Sequence, residues 1–118
     1  MFQDRTILFL EDEPLVAMDT TEQLEDMGFG EVATFYRLEN AMNAIEERTF
    51  DFALLDINLG GGQTSHELGQ ALQDDGTIVV FASGNSGEVD TLTEQGYVFL
   101  HKPYTERSLK NCLASQLA

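Results

Sequence analysis

The chain has 118 residues, with 21 Asp+Glu against 6 Lys+Arg and a formal net charge of −15. That length suits one domain over residues 1–118, and the charge excludes the basic face needed to neutralise nucleic-acid phosphates or anionic lipid headgroups. A hydrophobic fraction of 42% is too high for an acidic disordered tail, so the chain is expected to fold. The lone cysteine, Cys112, leaves no internal disulfide and no cysteine-based zinc site. The opening MFQDRTILFLEDE has acids where a secretory leader has its basic region, and no apolar run approaches membrane-span length. The expected location is the cytoplasm.

Ile7-Leu8-Phe9-Leu10 is an apolar run of strand length that stops at Glu11-Asp12-Glu13. Pro14 to Met27 reads as a helix: acids and a proline stand at its start, Leu15, Met18, Thr21, Leu24 and Met27 recur at spacings of three, and Gly28 ends it. Val32-Ala33-Thr34-Phe35 is a second strand, and Leu38, Ala41, Met42 and Ile45 fit the i, i+3, i+4, i+7 template of a second helix. Phe52-Ala53-Leu54-Leu55 is a third strand closing on Asp56, followed by a mobile Gly60-Gly61-Gly62 loop and a weaker helix from Ser65 to Gln73. Ile78 to Ala82 is a fourth strand ending on Ser83, with another weak helix expected around Ser86 to Gln95. Tyr97-Val98-Phe99-Leu100 is the fifth strand, Lys102-Pro103 follows it, and Leu109, Cys112, Leu113 and Leu117 mark a final amphipathic helix.

Four of the five strands are nearly continuous in apolarity, as parallel strands covered on both faces must be. Five β-α units in a chain this short imply an α/β fold with a doubly wound, five-stranded parallel sheet flanked by five helices, since a closed barrel would need eight units. In such open sheets ligands bind beyond the carboxyl ends of the strands. Glu11, Asp12, Asp56, Ser83 and Lys102 all fall on that rim. Three carboxylates brought together repel one another unless a cation joins them, and a hard divalent ion such as Mg²⁺ suits oxygen ligands. An ammonium and a hydroxyl suit the remaining oxygens of a phosphoryl group, so the set fits phosphate transfer to a carboxylate.

Each residue also has a plainer reading when taken alone. Acids at 11–13 complement a helix start, and Glu13 keeps that reading, pointing outward or capping the helix. Ser83-Gly84 is an ordinary turn, Lys102-Pro103 an ordinary strand terminator and Phe99 an ordinary core aromatic. His66 and His101 lack a second histidine at helical spacing and read as polar residues near a helix start and a strand end. Cys112 reads as core. The triple glycine has neither the GK[ST] ending nor the GxGxxG spacing of a nucleotide loop.

ILFLEDEP, FALLDINL, VVFASG and FLHKPY, in that order and each closing its own strand, resemble the receiver domain of two-component response regulators over nearly the whole chain. The resemblance implies a flavodoxin-like fold with Asp56 as phosphoacceptor. It implies Mg²⁺ held by Glu11, Asp12, Asp56 and the carbonyl of Asn58, with Lys102 and Ser83 on phosphate oxygens. Phe99, three residues before Lys102, would be the switch aromatic that rotates when Ser83 moves inward. The implied donor is a histidine kinase or histidine phosphotransfer protein, and the output a protein partner or service as a phosphate shuttle or sink. The activity implied is self-catalysed phosphotransfer and dephosphorylation rather than conventional enzymology, in a monomer or weak dimer. VVFASG is also similar to a receiver subgroup with a Phe-Ala-Thr motif, associated with the general stress response.

Several departures from the family pattern matter. Gly60-Gly61-Gly62 stands where a proline is usual, which implies a looser loop. Glu11 replaces an aspartate, and its longer stem would reach the metal through water. The Gly/Ser-rich stretch after Ser83 implies a short or displaced fourth helix. In the family the Lys102-Pro103 peptide is cis. Asn58 and Asn85 occupy positions that tune aspartyl-phosphate hydrolysis and imply a lifetime of seconds to minutes. No DNA-binding or enzymatic segment follows through Ala118, so a stand-alone receiver is expected. Two other classes stay open: a pseudo-receiver, which would normally lack one of Asp12, Asp56 and Lys102, and a flavodoxin-like cofactor carrier, which would want a hydroxyl-rich phosphate loop after the first strand.

Overall fold

The computed structural model describes residues 1–84 and 95–117. Five strands, β1 (Thr6–Leu10), β2 (Glu31–Phe35), β3 (Phe52–Asp56), β4 (Ile78–Ser83) and β5 (Val98–His101), form one parallel sheet in the order β2-β1-β3-β4-β5. Among the described residues four helices flank it: α1 (Pro14–Asp26), α2 (Leu38–Glu47), α3 (His66–Asp74) and α4 (Glu106–Ser115). The expected helix around Ser86 to Gln95 and the residue Asn85 lie outside the described residues. The fold is therefore the doubly wound, flavodoxin-like one.

Period-two alternation along each strand divides the core in two. Ile7, Phe9, Phe52 and Leu54 point to the side covered by α1 and α4, where Leu24, Leu109 and Leu113 meet them. Leu8, Leu10, Ala53 and Leu55 point to the side of α2 and α3, against Ala41, Leu68 and Leu72. All five residues of β3 are buried, which accounts for its uninterrupted apolarity up to Asp56.

The helices form for identifiable reasons. Pro14 stands in the first turn of α1, where its missing N–H is no loss. Thr105 and Ser108 form a reciprocal capping box at the start of α4. The face of α1 differs from the sequence expectation. Its buried residues are Ala17, Thr20 and Leu24, whereas Leu15 is 80% and Met18 65% exposed. A strict spacing of three slips back by roughly 60° per step on a helix of 3.6 residues per turn, so that series winds around the cylinder. Ala17, Thr20 and Leu24 stay on one stripe.

In α3, Gly69 is required by packing. A Cβ there would stand 2.3 Å from the Phe81 ring, so the glycine admits a phenylalanine from β4 against the helix. The triple glycine also behaves differently from a loose loop. Gly60, Gly61 and Gly62 have φ of 73°, 58° and 80°, and Gln63 N–H donates to the Gly60 carbonyl at 3.0 Å. Two central residues with positive φ make a tight hairpin-type turn, closed further by Leu59 N–H on the Gln63 carbonyl at 3.0 Å and by a bridge between Asn58 and Thr64. Lost proline stiffness is offset by this pairing.

Candidate phosphoacceptor site

The reversal of strand order falls between β1 and β3, and the carboxyl ends of those strands deliver the acids. Glu11 follows β1 directly, its N–H donating to the Phe35 carbonyl at 3.0 Å. Asp56 ends β3, and the next residue is fixed by Ile57 N–H on the Ala82 carbonyl at 3.0 Å. The buried Ser65 hydroxyl donates to the Asp56 carbonyl at 2.7 Å, a support that reads in the sequence only as a residue at a helix start. Ser83 ends β4, buried beside His101 in the β5 register. Its carbonyl accepts Lys102 N–H at 2.9 Å, bringing the lysine back over the sheet. The Lys102–Pro103 peptide is cis.

These ends converge. Carboxylate oxygens of Glu11, Asp12 and Asp56 lie within 4.8 Å of one another. Lys102 Nζ sits 2.8 Å from Glu11 Oε1 and 3.2 Å from Asp56 Oδ2. Glu11 Oε2 accepts Glu13 N–H at 3.1 Å. Both oxygens of the buried Glu11 are thus engaged, while Asp12 makes no ion pair among the described residues. This pairing of Glu11 with Lys102 spans 91 residues of sequence and had no local signal. Glu13 itself is exposed at the α1 N-cap with no side-chain cap bond, in keeping with its plainer reading.

Three carboxylates against one ammonium leave two formal negative charges in a half-enclosed rim. Burial pushes Asp56 up to about 6; Lys102 pulls it down and Glu11 adds to the rise. For Lys102, burial works to lower the pKa, but the Glu11 hydrogen bond and the two carboxylate charges outweigh it and hold the ammonium above its usual range. Burial likewise raises Tyr104, whose hydroxyl bonds Thr20 Oγ1 at 3.0 Å and ties the loop after Lys102 to α1.

The oxygen-only donor set fits a hard divalent cation. Adjacent and opposite ligands of an octahedral Mg²⁺ stand about 2.9 to 4.2 Å apart, so a small contraction of the cluster would seat one. Asn58 follows Ile57 on the same rim, at the bridge to Thr64. Phe99 is half-buried on the α2 and α3 side of the sheet, its ring 5.1 Å from His101 and nearly perpendicular to it. His66 opens α3 and packs edge-on to Phe81 and Tyr97. Cys112, on α4, packs against the core, where burial pushes its thiol up.

Residues 7–114 match the response regulator receiver domain. The chain belongs to that family. Among the solved structures similar to this receiver domain, two are about a third identical to it. The solution structure of SdrG from Sphingomonas melonis Fr1 is 32% identical, with a TM-score of 0.77 and 97% of each chain covered. The BeF3-activated conformation of SdrG from Pseudomonas melonis Fr1 is 33% identical, with a TM-score of 0.79 and both chains covered in full. A CheY-like receiver domain protein from Methanospirillum hungatei JF-1, 23% identical with a TM-score of 0.82 over 96% of this chain and 93% of its own, shares the fold. None of the curated proteins compared matches. Receiver domains bind Mg²⁺ through an acidic pocket, and in this one the acidic cluster is Glu11, Asp12 and Asp56. Among the described residues no helix is long and apolar enough to cross a membrane.

Proposed function

We propose that this receiver domain is a Mg²⁺-dependent switch that accepts a phosphoryl group on Asp56 from a histidine kinase or histidine phosphotransfer protein. The observation that carries the reading is the buried Asp56 carboxylate held by Lys102 beside two further acids. Burial leaves the metal-free Asp56 carboxylate more basic than that of an ordinary aspartate, which favours it as a nucleophile. A carboxylate oxygen of Asp56 attacks phosphorus, the P–N bond to the donor imidazole breaks, and the imidazole nitrogen keeps the electron pair and takes up a proton.

The bound Mg²⁺ supplies charge neutralisation for the phosphoryl oxygens. Asp12 and Asp56 Oδ1 are the carboxylate oxygens open to it, with the Asn58 carbonyl beside them. Glu11, whose oxygens are taken by Lys102 and Glu13 N–H, acts through water and by aiming the lysine. Lys102 then holds one phosphate oxygen and Ser83 another. Ser83 and Phe99 lie on the same side of neighbouring strands, a placement that supports coupling of the phosphate to the β5 surface. Intact Asp12, Asp56 and Lys102 favour this over a pseudo-receiver, and Glu11-Asp12-Glu13 after β1 disfavours a flavin-phosphate carrier. The Phe81-Ala82-Ser83 stretch supports a place in the general stress response, with residues 1–118 forming one receiver domain in the cytoplasm.

Incubation with acetyl phosphate and Mg²⁺, followed by intact mass, tests the reading. Wild type gains one phosphoryl group and Asp56→Asn gains none; a wild type without adduct, even with a kinase supplied, refutes it. The adduct is expected to decay over seconds to minutes, and one stable for many hours contradicts the short lifetime that Asn58 and Asn85 imply.

A further inference from the structure

On the β2 side of the rim, opposite Lys102, a cavity of about 470 Å³ is lined by Asp12, Tyr36, Arg37, Leu38, Glu39, Leu59 and Gln63. It adjoins the glycine turn, where a Cβ on Gly60 would stand 3.5 Å from Asp12 Oδ2. Arg37 contributes the only cation to it. Of the other cations, Arg48 grips Glu31 at 2.7 Å, Lys102 holds Glu11 and Asp56, and Arg107 and Lys110 lie away from the site, lining a separate cavity with Asp26 and Glu106. Arg5 precedes β1 at the other end of the sheet. Among the described residues Arg37 makes no ion pair, even with Glu39 beside it, and its side chain does not cap α2.

Charge counting gives this uncommitted guanidinium a role. By themselves the side chains of the site carry two formal negative charges, from three carboxylates and one ammonium. A divalent cation brings the total to zero. Phosphorylation then replaces the single charge of the Asp56 carboxylate with a dianionic acyl phosphate, leaving the site one positive charge short. Arg37 is exposed and lies across a single small cavity from Asp12, within about one Debye length, where a unit charge is still felt.

We infer that Arg37 is a working part of the phosphoacceptor site, opposing divalent-cation binding while Asp56 is free and supplying the missing positive charge once Asp56 carries a phosphoryl group. The inference rests on the phosphoacceptor reading above and adds a residue to it. Its signature is a pair of effects of opposite sign, which a residue with a merely structural role would not produce.

The test uses the whole chain with Arg37→Ala, Arg37→Lys and, as a distant change of equal charge, Lys110→Ala. Calorimetry or chemical-shift titration measures Mg²⁺ affinity of the unphosphorylated protein. Beryllofluoride, which adds the same charge to Asp56 as a phosphoryl group, is then titrated at saturating Mg²⁺ so that the first effect does not enter the second. Arg37→Ala is expected to bind Mg²⁺ about threefold to tenfold more tightly and beryllofluoride about threefold to tenfold more weakly, the size expected for one nearby charge. Arg37→Lys stays near wild type, and Lys110→Ala moves neither affinity by more than about twofold. Arg37→Ala shifting both affinities in one direction, or neither, overturns the role of Arg37 while leaving the phosphoacceptor reading intact. Failure of wild type to bind beryllofluoride at Asp56 overturns both.

Discussion

Asp56→Asn is expected to stabilise the metal-free fold, and the gain should depend on pH in a way that identifies its cause. In the folded protein Asp56 is raised from 3.8 to about 6, chiefly by burial. As pH climbs from 4, the unfolded chain gives up this proton first while the folded chain holds it, so wild-type stability falls through that window. Above both values the full difference applies, about 3 kcal/mol for a little over two units. At pH 5 linkage leaves about half of that. The asparagine keeps the shape and removes the charge, and Lys102 keeps Glu11 as its partner. Urea unfolding of both proteins in EDTA at pH 5, 6 and 7.5 measures the difference directly. A gain that is absent, or equal at all three pH values, refutes the reasoning that burial of this carboxylate strains the resting site.

Removing the other partner should act in reverse. Lys102→Ala leaves Glu11, only 1% exposed, without its cation, and should cost about 2 to 4 kcal/mol in metal-free urea unfolding, with much of the loss recovered in Lys102→Ala/Glu11→Gln. Gly69→Ala drives a Cβ to 2.3 Å from the Phe81 ring; despite the better helix propensity of alanine, a net loss of about 1 to 3 kcal/mol is expected by thermal unfolding. On α1, Leu24→Ala should cost about 2 to 5 kcal/mol and Leu15→Ala less than about 0.5 kcal/mol, and equal losses at the two sites would contradict the observed buried stripe.

How much of this was legible in the sequence follows from the range of the forces involved. Strands announced themselves because β1, β3 and β4 are buried on both faces and have no room for polar residues. The site acids and Lys102 were legible for a related reason: each interrupts such a run at the carboxyl end, where the topology gathers them. The face of α1 was not, because a spacing of three mimics helical period over two turns and then drifts. Two large apolar side chains on the exposed side, Leu15 and Met18, carried as much apparent signal as Ala17 and Thr20 on the buried one. The glycine turn misled in the opposite sense, since chain entropy is local and visible whereas the hydrogen bonds that pin Gly60 to Gln63 are not. The division of labour between Glu11 and Asp12, one holding Lys102 and the other open, depends on contacts across most of the chain. So does Arg37, an ordinary surface arginine until β2 and the turn after β3 are placed on either side of Asp12.

Trapping the acyl phosphate with borohydride bears most directly on the switch. After brief reaction with a phosphohistidine donor and Mg²⁺, reduction should convert residue 56, and no other, into homoserine, read by peptide mass and lost in Asp56→Asn. Homoserine at Asp12, or stable label on His66 with Asp56 unmodified, would contradict the assignment of Asp56 as the phosphoacceptor.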